Sequence, residues 1–103
     1  VIVKEVICSD PYIFVPNAFT PNGDGQNDFF KPFYPETLVT EVYFAVYDRW
    51  GSIVYETDNI RADGWNGTYK GKQLAPDVYV FWLKAKCING EEYEHRGNVT
   101  LIR

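Results

Sequence analysis

The stretch "EVYFAVYDRWG", residues 41–51, alternates apolar and aromatic side chains between the two faces of an extended chain and ends in a glycine. Successive side chains of a strand point to opposite sides, so one face of this stretch carries a continuous apolar row. That row consists of Val42, Phe44 and Val46. "IVYET" (53–57) follows, and Gly51 can supply the positive φ of a tight turn. We therefore predict a β-hairpin over residues 41–57.

Other stretches show the same β-type pattern. "DVYVFWLKAKCI" (77–88) carries β-branched and aromatic residues on both faces, which is typical of a central strand of a packed sheet. "VIVKEVIC" (1–8) and "NVTLIR" (98–103) indicate an opening and a closing strand, and no segment shows apolar positions at helical spacing. We predict a single all-β domain over residues 1–103, a β-sandwich of about seven antiparallel strands.

Charge and composition exclude several functional classes. The net charge is −4 and the ten basic residues are scattered, so no Lys/Arg run offers a face for nucleic acid. No stretch approaches the roughly 18 apolar residues of a membrane span, so we expect no direct membrane insertion. The N-terminal "VIVKEVICSD" does not have the pattern of a signal peptide. If the protein is exported, the address lies outside these residues or is the fold itself.

Residues suited to catalysis are few and badly spaced. His95 is the only histidine, and no Ser or Cys stands in an elbow motif that it could assist. Glu91 and Glu92 are adjacent, so on a strand their carboxylates point to opposite faces. We therefore predict that the protein is not an enzyme, and we place His95 on the surface of a hairpin before the last strand.

The polar loop "FTPNGDGQNDFF" (19–30) is the best candidate for a ligand site. Alternate oxygen-bearing side chains, a glycine at the bend and a backbone carbonyl are what calcium loops use. The candidate calcium ligands are Thr20, Asn22, Asp24, Gln26 and Asp28. A threonine in the first position and the lack of a bidentate glutamate depart from that pattern. The alternative is that the two Asx-Gly pairs build consecutive turns, whose backbone amides are capped by Asn27 and Asp28.

Aromatic residues punctuate the predicted loops. The phenylalanines expected to anchor the polar loop to the core are Phe19, Phe29 and Phe30. We interpret Trp65 as a plug at one end of the sandwich and Trp50 and Trp82 as core residues, because a tryptophan buries a large area and needs one indole partner. The alternative is a sugar-binding platform formed by Trp50, Trp65 and Tyr69.

Cys8 and Cys87 are the two cysteines of the chain. They are far apart in sequence and lack the short spacing of zinc or thioredoxin-like sites. Two alternatives remain open, a disulfide between the first strand and a late one, or two buried thiols.

Four segments occur in an order that resembles a known family. They are "VPNAFTPNGDGQNDFF", "VYDRWGSIVYET", "WNGTYKGKQLAPDVYVFWLKAK" and the terminal "GNVTLIR". Their combination resembles the gliding-motility-associated C-terminal domain, the type B sorting domain of the type IX secretion system in Bacteroidota. The resemblance covers residues 8–103 and implies an immunoglobulin-like β-sandwich.

The resemblance also implies a function. Domains of this kind are non-catalytic C-terminal signals that direct an upstream cargo protein through the outer-membrane translocon. The folded domain would be recognised by the translocon and by a small barrel protein of the outer membrane. It would pass through the periplasm to the cell surface or the medium. The alternative function is a calcium-stabilised adhesion or carbohydrate-binding module. We expect that no cofactor is required, and calcium is the one candidate cofactor.

The motif residues that carry the resemblance are the candidates for partner recognition. They are Pro21, Gly23, Gly25, Asn27, Arg49, Trp50, Gly51, Trp65, Asn66, Gly67, Val99, Thr100, Leu101, Ile102 and Arg103. Asp77 is a departure, because the family usually carries glycine there, and we expect a less comfortable positive φ at this position. The terminal strand (98–103) either offers an open edge to a partner or lies buried in the sheet.

Overall fold

The computed structural model describes residues 8–9, 12–23, 25 and 28–103. Within these ranges the chain forms seven β-strands and no helix, and hence no helix that could span a membrane. The strands are β1 (Ala18–Phe19), β2 (Val39–Tyr47), β3 (Ile53–Thr57), β4 (Thr68–Tyr69), β5 (Lys72–Gln73), β6 (Asp77–Cys87) and β7 (Glu92–Leu101). The predicted opening strand lies, except for Cys8, outside the described residues.

Five strands form one sheet in the order β1-β7-β6-β2-β3, and β4 and β5 form a separate hairpin. β6 lies at the centre and pairs antiparallel with both β2 and β7. β2 and β3 pair as the hairpin predicted over residues 41–57. The all-β, immunoglobulin-like sandwich is therefore confirmed, with one difference, since β1 runs parallel to β7.

The core lies on one face of the five-stranded sheet. Along β6, buried residues alternate with more exposed ones. Its buried residues are Tyr79, Phe81, Leu83, Ala85 and Cys87. Burial of each large apolar side chain contributes about 1.5–3 kcal/mol. The layer that covers this face consists mainly of loop segments, joined by the isolated bridges Phe14–Phe33 and Phe30–Trp65.

The prediction that residues 77–88 form a central strand is confirmed, but the outer face of β6 is largely exposed. Val78, Val80, Lys84 and Lys86 are exposed on the outer face of the sheet. The apolar content of a strand shows that both faces are able to pack, but whether a second layer covers each face is decided by the rest of the chain. In the described part of the chain, the loop layer covers the inner face alone.

The three tryptophans occupy three different environments. Trp65 is 1% exposed, so its interpretation as a core plug is confirmed. Trp50 is 81% exposed, because it lies in the turn beyond the ends of β2 and β3, and its assignment to the core is wrong. Trp82 is partly exposed on the outer face, where the Arg96 guanidinium lies 4.6 Å from the centroid of its ring. It is therefore not a core residue either.

The last strand is longer than predicted. β7 begins at Glu92, so His95 lies within the strand rather than in a hairpin before it. The exposed His95 ring has its centroid 5.3 Å from that of Phe81. Among the described residues, no three His, Cys, Asp or Glu side chains are grouped as a metal site would need.

The sheet has two distinct ends. Tyr47 pairs with Val80 and Asp77 pairs with Leu101, so the β2–β3 turn, the start of β6 and the end of β7 share one end. We call this the motif end. The other end, the disulfide end, contains the disulfide between Cys8 and Cys87, which is the first of the two alternatives for the cysteines. It links residues separated by 79 positions, a constraint on the unfolded chain of about 4–5 kcal/mol.

Candidate functional site

A cluster of aromatic rings underlies the motif end. Phe30 N–H donates to the Trp65 carbonyl at 2.8 Å, and Trp65 N–H donates back to the Phe30 carbonyl at 2.9 Å. The centroid of the Trp65 ring lies 5.3 Å from that of Phe19 and 5.1 Å from that of Tyr79. Trp65 Nε1 donates to the Thr68 carbonyl at 2.9 Å, so the buried indole has its polar partner. Phe19 and Phe30 are buried as predicted.

Phe29 behaves differently from its neighbours. Its side chain is half exposed, whereas Phe30 is fully buried. Phe30 occupies the inner side, where its ring contacts those of Phe19 and Phe44, whereas Phe29 lies at a bend just before it. The prediction that Phe29 anchors the polar loop to the core is therefore wrong.

The Asp28 carboxylate closes the polar loop through backbone amides. Its Oδ1 accepts hydrogen bonds from the N–H groups of Asn22 at 3.1 Å and Gly23 at 2.9 Å, and its Oδ2 accepts from Gly25 N–H at 2.8 Å. Gly23 and Gly25 have φ values of +80° and +83°, where glycine is favoured. The described part of the loop thus has the geometry of consecutive turns, with Asp28 as the cap.

The predicted calcium ligands are only partly described. Thr20, Asn22 and Asp28 belong to the described residues, and the Thr20 carbonyl accepts a hydrogen bond from Asn22 N–H at 2.8 Å. The predicted loop residues outside the described ranges are Asp24, Gln26 and Asn27. Calcium binding therefore stays a prediction.

Three motif segments meet at Gly67. Its φ is +80°, and a Cβ atom there would lie 3.1 Å from Pro21 Cγ and 3.3 Å from Leu101 Cδ1. Arg103 completes the junction, because its Nη2 donates to the Gly67 carbonyl at 2.9 Å and its Nε donates to the Leu74 carbonyl at 3.0 Å. The segments "FTPNG", "WNG" and "LIR" are distant in sequence but form one packed unit, which we call the Gly67 junction.

The turn before this junction is shaped by Asn66. Its Oδ1 accepts hydrogen bonds from the N–H group of Thr68 at 3.2 Å and from the hydroxyl of Thr68 at 2.6 Å. An Asx side chain used in this way reproduces a backbone turn. The role of Asn66 in the structure is therefore to position the β4–β5 hairpin.

The terminal strand lies inside the sheet. Its fully buried side chains are those of Val99 and Leu101. Thr100 N–H donates to the Asn17 carbonyl at 2.9 Å, and Ile102 N–H donates to the Phe19 carbonyl at 3.0 Å. The segment around β1 thus occupies the outer edge of β7 at residues 100–102, so the alternative of an open edge there is wrong.

The Trp50 turn is a rigid element at the motif end. The Asp48 carboxylate accepts hydrogen bonds from the N–H groups of Trp50 and Ser52, both at 2.9 Å. Gly51 has a φ of +82° and donates its N–H to the Asp48 carbonyl at 3.0 Å. The Arg49 guanidinium lies 5.8 Å from the centroid of the Trp50 ring. Backbone and side-chain bonds thus fix the position from which the exposed indole projects.

Arg49 joins this turn to β6. Its guanidinium forms an ion pair with Asp77, the first residue of that strand. The N–H of Val78 and, after it, the Arg49 guanidinium hold the pKa of the Asp77 carboxyl below its usual value. Among the described residues, the non-glycine residue with a positive φ is Lys70, so the expectation of such a φ at Asp77 is wrong.

The sequence-based predictions miss two contacts, the Asp48 cap of the Trp50 turn and the Arg49–Asp77 ion pair. The sugar-binding platform that they offered as an alternative does not form. Aspartate at the first position of a tight turn is a known signal, so the role of Asp48 was open to prediction. The ion pair between Arg49 and Asp77 could not be predicted, because it depends on which strands lie next to each other. The sugar-binding platform is excluded, since the Trp65 ring that it requires is buried.

Comparison with known proteins assigns the family. The family model of the CHU_C type IX secretion signal domain matches residues 13–101. The chain belongs to this family. The type IX secretion signal domain thus includes the polar loop, the Trp50 turn, Gly67 and the terminal strand up to Leu101. Membership assigns a sorting-signal role and marks an exported protein, destined for the outer-membrane surface or the extracellular space. The family is one of signal domains and not of enzymes.

A solved structure shares the fold. The crystal structure of CopC from Methylosinus trichosporium OB3b aligns with a TM-score of 0.56, over 85% of this chain and 84% of that one, at 15% sequence identity. At this identity the likeness shows the fold alone. No curated protein sequence matches the chain.

Proposed function

We propose that the folded domain, and not a linear peptide within it, is the signal that directs an upstream cargo protein through the type IX outer-membrane translocon. The translocon and a small barrel protein of the outer membrane recognise its surface. The cargo then reaches the cell surface or the medium. In this proposal residues 1–103 form a single C-terminal domain of a longer protein.

The Gly67 junction is the observation that supports the proposal. Pro21, Gly67 and Leu101 come from three motif segments, and they are in contact only because the chain has folded. The side chain of Leu101 is buried and the Arg103 guanidinium is bound to two backbone carbonyls. A partner that meets the folded domain therefore meets a surface built from several segments, not an extended C-terminal tag.

The test is a fusion of residues 1–103 behind a periplasmic reporter, in a host with a type IX secretion system. Two variants introduce the same charge at matched apolar positions of one chain segment. Leu83→Asp buries a carboxylate at a site with no exposure, and Ile88→Asp places it where the side chain is 61% exposed. We expect the wild type and Ile88→Asp to deliver the reporter to the surface, and Leu83→Asp to lose both folding and delivery.

Two outcomes would contradict the proposal. One is a wild-type fusion that is folded but stays in the periplasm. The other is a Leu83→Asp fusion that is unfolded by protease sensitivity and still reaches the surface as efficiently as the wild type, because the signal would then be a linear segment.

A further inference from the structure

An apolar surface lies on the outer face of the sheet at the motif end. Val78 and Val80 of β6 are 47% and 41% exposed, and each neighbours a buried inner-facing residue. Val80 pairs with Tyr47 of β2, and Tyr47 pairs in turn with Ile53 of β3. Paired residues of antiparallel strands share a face, so these side chains form a row across three strands. Val78 lies two positions before Val80 and therefore on the same face of β6, and Trp50 lies in the turn that joins Tyr47 to Ile53. We call the row, together with Val78 and Trp50, the apolar face.

The remainder of the outer face is different in character. Towards the disulfide end, Glu41 forms an ion pair with Lys86 at 3.7 Å, and Glu94 with Arg96 at 3.5 Å. The Tyr43 hydroxyl donates to Glu56 Oε2 at 2.8 Å, and this bond is the largest of the causes that raise the pKa of Tyr43 to about 12. These partners lie on neighbouring strands or alternate positions of one strand, as expected of a solvated sheet face. We call this half the charged face.

On the charged face, the aromatic ring of Trp82 is covered by cationic side chains. Lys84 Nζ lies 5.3 Å and the Arg96 guanidinium 4.6 Å from the centroid of its ring, so both cations lie over the indole. Long cationic side chains commonly cover apolar surface in this way. On the apolar face, by contrast, the exposed fractions of Trp50, Val78 and Val80 show that the described chain leaves them largely uncovered.

The apolar face is preorganised for binding. Trp50 projects from a turn fixed by the Asp48 carboxylate, and Val78 and Val80 lie on the central strand of the sheet. Ordering a contact surface costs binding free energy, and a surface that is already rigid avoids that cost. Tryptophan and tyrosine are enriched at the centres of protein interfaces, where charged residues are depleted.

Charge decides which kind of partner fits. The cation beside Trp50, Arg49, is bound to Asp77 in an ion pair, and the chain carries a net charge of −4. Anionic lipid headgroups and nucleic acids need a surplus of positive charge, which this described surface does not offer. Its complement is an uncharged, apolar protein surface with a pocket for an indole ring.

We propose that the apolar face is the surface through which a protein of the secretion machinery, presenting an uncharged apolar groove, recognises the folded domain. This inference rests on the proposed function and assigns the recognition to Tyr47, Trp50, Ile53, Val78 and Val80. It separates recognition from the Gly67 junction, whose role is to hold the motif end together.

The experiment uses the same reporter fusion of residues 1–103. The test variant combines Trp50→Ala with Val78→Thr and Val80→Thr, since threonine keeps the shape and strand preference of valine. The control variant is Ile88→Thr, which removes an exposed apolar side chain beyond the other end of β6. We expect surface delivery of the test variant to fall about tenfold or more, as for loss of interface hot-spot residues. The control variant and the melting temperatures of both variants stay near the wild type.

The outcomes distinguish this inference from the proposed function. If the wild-type fusion is not exported, the proposed function fails, and with it the basis of the inference. If the wild type is exported and the folded test variant is exported equally well, the inference alone is overturned.

Two other occupants are tested with the isolated 103-residue chain. Sedimentation that shows a wild-type dimer and a monomeric test variant would identify a second copy as the occupant and overturn the inference. Co-sedimentation of the wild type, but not of the test variant, with phosphatidylcholine vesicles would identify a lipid surface instead. A monomeric wild type that leaves the vesicles unbound supports a protein partner.

Discussion

Two turns of this protein contain a tryptophan and a glycine, and they place the indole in opposite environments. In "DRWGS" (48–52) the ring of Trp50 is the most exposed large apolar side chain of the described residues. In "GWNGT" (64–68) the ring of Trp65 is buried. Both turns use positive-φ glycines and an Asx side chain that accepts backbone hydrogen bonds. Their local chemistry is alike, so local chemistry does not explain the difference.

The difference comes from where each turn lies in the topology. The turn of Trp50 joins two neighbouring strands and projects past the end of the sheet, where no described segment packs over it. The segment of Trp65 crosses the inner face and exchanges hydrogen bonds with Phe30, so its ring lies among those of Phe19 and Tyr79. The comparison shows that the position of a turn in the topology, and not its motif, decides whether its tryptophan is buried or exposed.

The largest effect that tests this comparison is expected from the two tryptophans themselves. Trp65→Ala removes a fully buried ring and leaves Thr68 without its indole donor, so we expect a loss of about 3–5 kcal/mol in the free energy of unfolding. Trp50→Ala removes an exposed ring, and we expect a change within about 0.5 kcal/mol. Urea denaturation of both variants beside the wild type measures the two values. Equal destabilisation would mean that the exposed indole has a structural role in the fold.

Gly51 and Gly64, one from each turn, provide a sharper comparison, because both have a positive φ. A Cβ atom added at Gly51 would have no described atom within 4 Å, whereas one added at Gly64 would lie 2.7 Å from the Phe30 carbonyl oxygen. We expect Gly51→Ala to cost about 1 kcal/mol from backbone strain alone. Gly64→Ala adds a steric conflict with the backbone, and we expect a loss of about 2–4 kcal/mol. Thermal unfolding of the two variants gives the order, and a Gly64→Ala variant as stable as Gly51→Ala would contradict the close packing around Trp65.

The smallest effect concerns the ion pair at the base of the Trp50 turn. The pKa of Asp77 is lowered first by the Val78 N–H and second by Arg49. Replacing Arg49 by glutamine should therefore raise this pKa only part of the way to its usual value, because the Val78 hydrogen bond remains. A carboxyl NMR titration of the wild type and of Arg49→Gln measures the shift. A full return to the usual value would show that Arg49, and not the backbone, is the main cause.

The same pKa shift predicts how stability depends on pH. A carboxyl whose pKa is lower in the folded state stabilises that state above its unfolded pKa, and this contribution is lost as the pH falls through the folded pKa. We therefore expect the stability difference between the wild type and Asp77→Asn to be constant at neutral pH. It should shrink only below the usual pKa range of aspartate. Because the Arg49–Asp77 ion pair is exposed, added salt should further reduce this stability difference.

Several features of the fold were predictable from local pattern. Period-two alternation predicted the β2–β3 hairpin and the central strand, and the order of the motif segments indicated the family that the comparisons then assigned. Burial of Trp65, Phe19 and Phe30 was predicted correctly. The exposure of Phe29 was not predicted, because two consecutive aromatic residues do not indicate which of them faces the core.

The sequence by itself determined that the chain forms strands and turns, since alternation, glycine and Asx residues act over a few positions. It did not determine which of its aromatic residues remain exposed, or that Arg103 reaches the carbonyl of Gly67. Those facts depend on which strands pair and on which single face the loop layer covers. Burial is a property of the assembled layers, so only the tertiary structure decided that the Trp65 ring is buried in the core while the Trp50 ring is exposed to solvent.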